Sequence, residues 1–183
     1  MSVKRILFSA VIVTIVIVFF LLLEEETTLL KAGDIAPDFS AMSNTGEQIH
    51  LHDYRGKNLV ILYFYPKDFT LGCTEQACSF RDAFDTLRHF GAVIIGVSPD
   101  DISSHARFVS AYKLPLTLLS DTDKSISRAY GAVWLGGMVP PVKRVTYLID
   151  TNGIIRGVSH HEFIVSRHLD DMLDALKNCT AGK

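Results

Sequence analysis

Two of the three cysteines in this chain lie five positions apart in YFYPKDFTLGCTEQACSFRD, residues 63–82. Cys73 directly follows Gly72 at the predicted start of a helix, where backbone N–H groups without intrahelical partners and the positive end of the helix dipole face its sulfur. Such surroundings bring a thiol from an ordinary value of about 8.5 toward neutrality or below, and the thiolate is the nucleophile. The loop ahead of it suits the same purpose. Pro66 fixes the chain as it leaves a strand, Thr70 offers a hydroxyl, and Gly72 lets a ligand approach the backbone.

Cys78 constrains the chemistry further. Along a continuous helix five residues rise about 7.5 Å, beyond the roughly 6.8 Å that a disulfide spans between Cα atoms, and the two side chains diverge by about 140°. A Cys73–Cys78 disulfide therefore requires the start of the helix to unwind, which predicts a cycle between a folded, reduced state and a locally unfolded, oxidised one. The competing reading for each cysteine is a small buried apolar residue, and it is stronger for Cys78, which lies inside a helix.

The elements that must hold these thiols form an alternating series. GDIAPDFSAMSNTGEQIHLHDYRG, from Gly33, reads as short strands with a hairpin through Asn44, Thr45 and Gly46. NLVILYFY is continuously apolar, as a strand covered on both faces must be. Ala77, Phe80, Phe84, Leu87 and Phe90 recur at three- or four-residue spacing and predict one amphipathic helix over 73–90. Then follow a strand in AVIIGVS, a helix over 102–112, a strand in LPLTLLSD and a short helix over 124–130. RVTYLIDTNGIIRGVS predicts two strands turning at Asn152 and Gly153. A closing helix over 163–178 carries Val165, Leu169, Met172, Leu173 and Leu176. The pattern is that of one α/β domain over 32–183, a mixed sheet flanked by helices.

The N-terminus, residues 1–31, is of another kind. After Lys4 and Arg5, the eighteen residues Ile6 to Leu23 carry no charge and end abruptly in Glu24, Glu25 and Glu26. A helix of that length is about 27 Å long, close to the thickness of a bilayer's hydrocarbon core. With no small-residue cleavage site after it, the segment is read as an uncleaved transmembrane anchor in preference to a removed signal peptide. Lys4 and Arg5 before the span, against Lys31 after it, place the globular domain on the far side of the membrane, in a periplasm-like space.

Composition removes several classes of function. Of 183 residues 48% are hydrophobic and 21% charged, which excludes a disordered chain. The formal net charge is -2 and the basic residues are scattered, so a nucleic-acid partner has no electrostatic support. Three cysteines are too few for a disulfide-stapled mini-domain. Cys73 and Cys78 lack a second ligand pair for zinc, and His160 and His161 in SHHEF lack companion ligands, so both histidines are read as a solvated loop. Cys179 in KNCTAGK, four residues from the end, is read as a peripheral thiol, and the nominal glycosylation triplet Asn178, Cys179, Thr180 as a chance match. Arg81 and Asp82 are read as an exposed pair, with a place for Arg81 near the pocket as the alternative and no role assigned to it.

FYPKDFTLGCT followed by EQACSFRD resembles the active-site signature of the peroxiredoxins, in their bacterioferritin comigratory protein or Q-type branch. The similarity extends from GDIAPDF through LHDYRGKNLVILYFYPKD to KRVTYLIDTNG. It implies a thioredoxin-like fold, with Cys73 as the peroxidatic nucleophile, Cys78 as the resolving cysteine, Thr70 as hydroxyl partner, and Pro66 and Gly72 shaping the substrate loop. Arg144 would be the cation that completes the pocket. The activity so implied is reduction of hydrogen peroxide or organic hydroperoxides through a sulfenic acid and an intramolecular disulfide. Thioredoxin or a thioredoxin-like dithiol would recycle it, with no metal, flavin or haem, and with the protein acting as a monomer. Beyond a membrane the donor would itself have to reside in that compartment. Leu71 stands where the family usually has proline, which loosens the loop. Two other classes compete: a membrane-tethered thiol-disulfide oxidoreductase, which would use a C-x-x-C motif that this chain lacks, and a non-enzymatic binding or chaperone module, which needs neither Thr70 nor Arg144 near a thiol.

Overall fold

The computed structural model describes residues 28–134 and 141–181. The predicted span over 6–23 lies outside the described residues, and no described helix is long and apolar enough to cross a membrane.

The apolar run at the centre of the chain forms β3 (Leu59–Phe64), the middle strand of a five-stranded sheet. Before it, β1 (Ser40–Met42) and β2 (Gln48–His50) make an antiparallel hairpin, followed by a single 3-10 turn, Leu51–Tyr54. After it come α1 (Leu71–Asp82), α2 (Phe84–His89), β4 (Ala92–Ser98), α3 (Ile102–Tyr112), β5 (Thr117–Ser120), α4 (Ser125–Ala129), β6 (Val145–Ile149), β7 (Ile155–His160) and α5 (Ser166–Ala181). The sheet order is β5-β4-β3-β6-β7, with β3, β4 and β5 parallel and β6 and β7 antiparallel. This is the mixed sheet flanked by helices that the sequence predicts.

The two-residue alternation of a strand explains how β3 organises the core. Val60, Leu62 and Phe64 join one buried cluster with Leu51, Tyr130 and Tyr147, while Ile61, Tyr63 and Tyr65 join the other with Cys73, Phe80, Phe108 and Met172. The second face carries α1, α2, α3 and α5, so the face that receives the most helices also receives Cys73. Close approach there needs Gly96, opposite Tyr63 in register, since a Cβ at Gly96 would stand 2.6 Å from the Tyr63 ring.

Three expectations change. The single helix over 73–90 is two helices, broken at Ala83 (φ -93°, ψ 4°). Alanine is a strong helix former, so no local preference announces that break. The helix containing the thiols begins at Leu71, which makes Cys73 its third residue instead of its first. The last helix starts at Ser166 and runs to Ala181, so Cys179 belongs to a helix and packs partly buried against the core, where a peripheral thiol was expected. The strand pair after Arg144 forms as expected. Its turn is wider than a two-residue hairpin, closed by Gly153 N–H to Asp150 C=O at 2.9 Å, with Gly153 at φ 79°.

Candidate active site

The chain leaves β3 at its C-terminal end and reaches α1 through residues 65–70, a loop anchored from below. Asp68, 3% exposed, is the anchor. Its carboxylate accepts from Tyr65 Oη at 2.7 Å and Ser104 Oγ at 2.8 Å, and meets His105 Nδ1 at 2.9 Å, while its own N–H donates to Asp100 Oδ2 at 2.8 Å. Burial, with the nearby Tyr63 and Asp68, pushes the Tyr65 phenol well above its ordinary value, so it remains a donor. Phe69 takes the left-handed conformation (φ 60°), unusual for a bulky side chain. Its ring is held edge-on against Phe108 at 5.1 Å between centroids. Pro66 lies half-buried at the head of this loop.

Thr70 occupies the N-cap position but does not cap the helix with its side chain. Its Oγ1 donates to the Lys67 carbonyl at 3.0 Å, which leaves the oxygen's lone pairs as its outward-facing function. The helical ladder begins with Thr74 N–H to Thr70 C=O at 2.8 Å, so the amides of Leu71, Gly72 and Cys73 precede it.

Cys73 is 1% exposed. Arg144, brought up just before β6 and itself 6% exposed, donates from Nη2 to Cys73 Sγ at 3.5 Å. The guanidinium is fixed on several sides. Nη1 donates to Gln76 Oε1 at 2.8 Å and to Gly72 C=O at 3.4 Å, Nε donates to Glu162 C=O at 3.3 Å, and the Arg144 N–H donates to Glu162 Oε1 at 3.0 Å. Arg144 is therefore at the thiol and not a surface residue at a strand start. Gly72 takes on a different meaning: a Cβ there would lie 3.1 Å from Arg144 Nη2, so its missing side chain admits the guanidinium, where a ligand's approach was expected.

Cys78 lies half-buried on the same uninterrupted helix, off the face formed by the buried Cys73, Gln76, Ala77 and Phe80. Neither Cys73 nor Cys78 is in a disulfide. Tyr63 of β3 shares the buried cluster of Cys73, and its hydroxyl is buried without a hydrogen-bond partner among the described residues. Burial first, then Asp68, Cys73 and Cys78, raises its phenol far above the ordinary value.

Other predicted residues fall elsewhere. Arg81 binds Asp82 and donates to Tyr112 C=O at 2.9 Å, tying the end of α1 to the end of α3, and it stands within electrostatic reach of Cys78. His160 and His161 are not a merely solvated pair: they meet Glu162 Oε1 and Asp171 Oδ2, each at 3.2 Å. Cys179 lines an open cleft of about 950 Å³ at the opposite end of the sheet, with Leu59 and Gly91 from the other ends of the strands. Sequence reasoning missed Gln76, Glu162, Thr146 and His168. Gln76 could have been found, being three residues beyond Cys73 and so on the same helix face. His168 also left a trace, a polar residue between Val165 and Leu169 on an apolar stripe. Thr146 and Glu162 left none.

Comparison with known proteins agrees with this geometry. Residues 32–158 match the model of the AhpC/TSA family. The chain is 43% identical over 146 residues to the chloroplastic peroxiredoxin Q of Arabidopsis thaliana, covering 79% of this chain and 66% of that one. It is 38% identical over 147 residues to that of Sedum lineare, covering 80% and 77%. It thus spans about two thirds of the length of the first of these relatives. Among solved structures, peroxidoxin BcpB from Mycobacterium tuberculosis superposes with a TM-score of 0.76 at 32% identity, covering 81% of this chain and 97% of that one. The bacterioferritin comigratory protein of Xanthomonas campestris, whose alkyl peroxide reduction has been studied, superposes with a TM-score of 0.71 at 28% identity, covering 76% and 90%. With a buried helix-start cysteine under an arginine, and with these relatives, the chain belongs to the AhpC/TSA family as a Q-type peroxiredoxin.

Proposed function

We propose that this protein is a thiol-dependent peroxidase in which Cys73 reduces hydrogen peroxide and organic hydroperoxides. The observation that carries the reading is the 3.5 Å contact from Arg144 Nη2 to Cys73 Sγ at the start of α1. A guanidinium keeps its charge at any working pH, so it favours the thiolate and then the negative charge that develops on the departing oxygen. The thiolate attacks one peroxide oxygen. The S–O bond forms as the O–O bond breaks, the sulfur is oxidised to sulfenic acid, and the other oxygen leaves as alkoxide or hydroxide and takes up a proton. Thr70, its own proton directed to Lys67, serves as acceptor for a peroxide O–H and orients the O–O bond for attack.

Resolution falls to Cys78. Its sulfur displaces water from the sulfenic acid to form the disulfide, and an external dithiol, thioredoxin or a thioredoxin-like protein, reduces that disulfide by exchange. With both cysteines inside Leu71–Asp82, the helix must open first. The break at Ala83 limits how much helix is disrupted, since α2 is already a separate segment. We further propose that residues 6–23 tether the domain to a membrane with the domain beyond it, which a protease-accessibility test on sealed cells decides. The peroxidase reading is tested by following dithiol oxidation with hydrogen peroxide and with an alkyl hydroperoxide. Steady turnover is expected, abolished in Cys73→Ser. In Cys78→Ser the first oxidation should survive and regeneration by the dithiol should fail. Undiminished turnover without Cys73 contradicts the proposal.

A further inference from the structure

Behind Arg144 a chain of buried hydrogen bonds continues away from the thiol. Gln76, whose Oε1 receives Arg144, directs Nε2 at Thr146 Oγ1 at 3.4 Å, Thr146 Oγ1 meets His168 Nδ1 at 2.9 Å, and His168 Nε2 meets the His161 carbonyl at 2.9 Å. Gln76, Thr146 and His168 are all fully buried.

The direction of every link follows from its far end. A carbonyl only accepts, so His168 Nε2 carries hydrogen. The ring is neutral: burial first, and then the charges of Arg144 and His161, lower its pKa to about 4 against the opposing pull of the His161 carbonyl and of Asp171. The elements packed against it contribute Arg144 from the head of β6, His161 from the loop after β7, Asp171 from its own helix, and the uncharged Gln76 from α1. In a neutral ring protonated at Nε2, Nδ1 accepts, and Thr146 must donate to it. Thr146 then has only lone pairs left for Gln76, which turns the amide NH2 toward Thr146 and its oxygen toward Arg144. The reversed amide would oppose N–H to guanidinium N–H on one side.

We propose that His168 is a positioning residue for the Cys73 site, acting through the Thr146 hydroxyl to fix which end of the Gln76 amide receives Arg144 and hence where the guanidinium stands relative to the sulfur. This rests on the reading of Cys73 as the reacting thiol. His168 touches no reacting atom; it sets a polarity that two intervening side chains transmit.

The test uses the full-length reduced protein and four variants: Thr146→Val, Thr146→Ser, His168→Phe and His168→Asn. Two quantities are read, the second-order rate constant with hydrogen peroxide and the pH midpoint of Cys73 alkylation by iodoacetamide. Thr146→Val keeps shape and loses the hydroxyl, so the peroxide rate should fall about tenfold and the alkylation midpoint should rise by about one pH unit. Thr146→Ser keeps the hydroxyl and should stay within about twofold of the parent in rate. His168→Phe should match Thr146→Val, while His168→Asn, which can place an acceptor where Nδ1 stands, should recover most of the rate. The inference is overturned if the valine and serine variants behave alike, or if the asparagine variant falls as far as the phenylalanine one. Should His168→Phe fail to fold, the Thr146 pair decides alone. Alkylation needs no peroxide, so a parent protein inert to peroxide would sink the peroxidase reading while the midpoints still judged this one.

Discussion

The two ends of the central sheet each hold a cysteine on a helix, and they are built in opposite ways. At the C-terminal end of β3, Cys73 is in the first turn of α1, buried under Arg144, which Gln76 holds, with a loop strapped down through Asp68. At the other end, Cys179 is in the last turn of α5 and lines a broad cleft with Lys57, Asp150, Arg156 and Asp174. A helix start favours a negative sulfur and a helix end disfavours it. The tightly packed end thus sets its sulfur at a helix start under a guanidinium, and the roomy end sets its sulfur at a helix end. The proposed site follows the polarity of the helix and the guanidinium, not the size of the cavity.

The sharpest way to break this contrast is to remove one sulfur at a time. Cys73→Ser should abolish peroxide consumption, and Cys179→Ser should leave it within about twofold of the parent. Equal losses in a peroxide assay would mean that the two ends are not chemically distinct. Arg144→Met removes the cation and its fork of donors. A loss of about a hundredfold to a thousandfold in the peroxide step is expected, the range for deleting one preorganised donor to a developing oxyanion. Arg144→Lys, which retains charge without the planar fork, should recover only part of it.

Acid should disturb the two ends in sequence. His168, with its pKa lowered to about 4 from 6.5, takes up a proton more readily in the unfolded chain than in the folded one across that interval. Its contribution is therefore fully present above pH 6.5 and lost as pH falls toward 4, on the order of 3 kcal/mol. At the cleft end burial raises the Asp150 carboxyl, but the N–H groups of Ile154 and Asn152 and the Arg156 side chain outweigh it and leave the pKa below 3.8. Stability from Asp150 is present above that ordinary value and is lost only as pH falls further. Hydrogen exchange followed against pH should show protection failing first around β6 and the start of α5, and later around the turn at 150–154. The reverse order would refute the assignment. A smaller effect than that of Arg144→Met is expected of Gly72→Ala, whose Cβ would press on Arg144 Nη2 at 3.1 Å. A shift of a few tenths of an ångström should slow the peroxide step roughly threefold to tenfold, with little change in the affinity for the dithiol.

Much of this was legible in the sequence where a local rule applies. Continuous apolarity marked β3, helical spacing marked α1 and α5, and a glycine before a cysteine at a strand-to-helix junction marked Cys73. Local rules fail where tertiary packing decides. Nothing at Ala83 foretells a break between α1 and α2, and a carbonyl accepting from His168 leaves no mark on the residue that owns it. Arg144 is the instructive case. Composition and spacing leave it an ordinary strand-start residue; only the resemblance placed it in the pocket, and the coordinates supply the physical reason through Glu162, Gln76 and a Cβ that Gly72 does not have.

The central claim is that one particular sulfur, the one under Arg144, attacks the peroxide. The direct measurement is to treat reduced full-length Cys78→Ser protein with one equivalent of hydrogen peroxide in the presence of a sulfenic-acid trap and to map the adduct by mass spectrometry. The adduct is expected on Cys73, formed in step with peroxide loss, and none on Cys179. An adduct chiefly on Cys179, or peroxide consumed with Cys73 still a thiol, would contradict it.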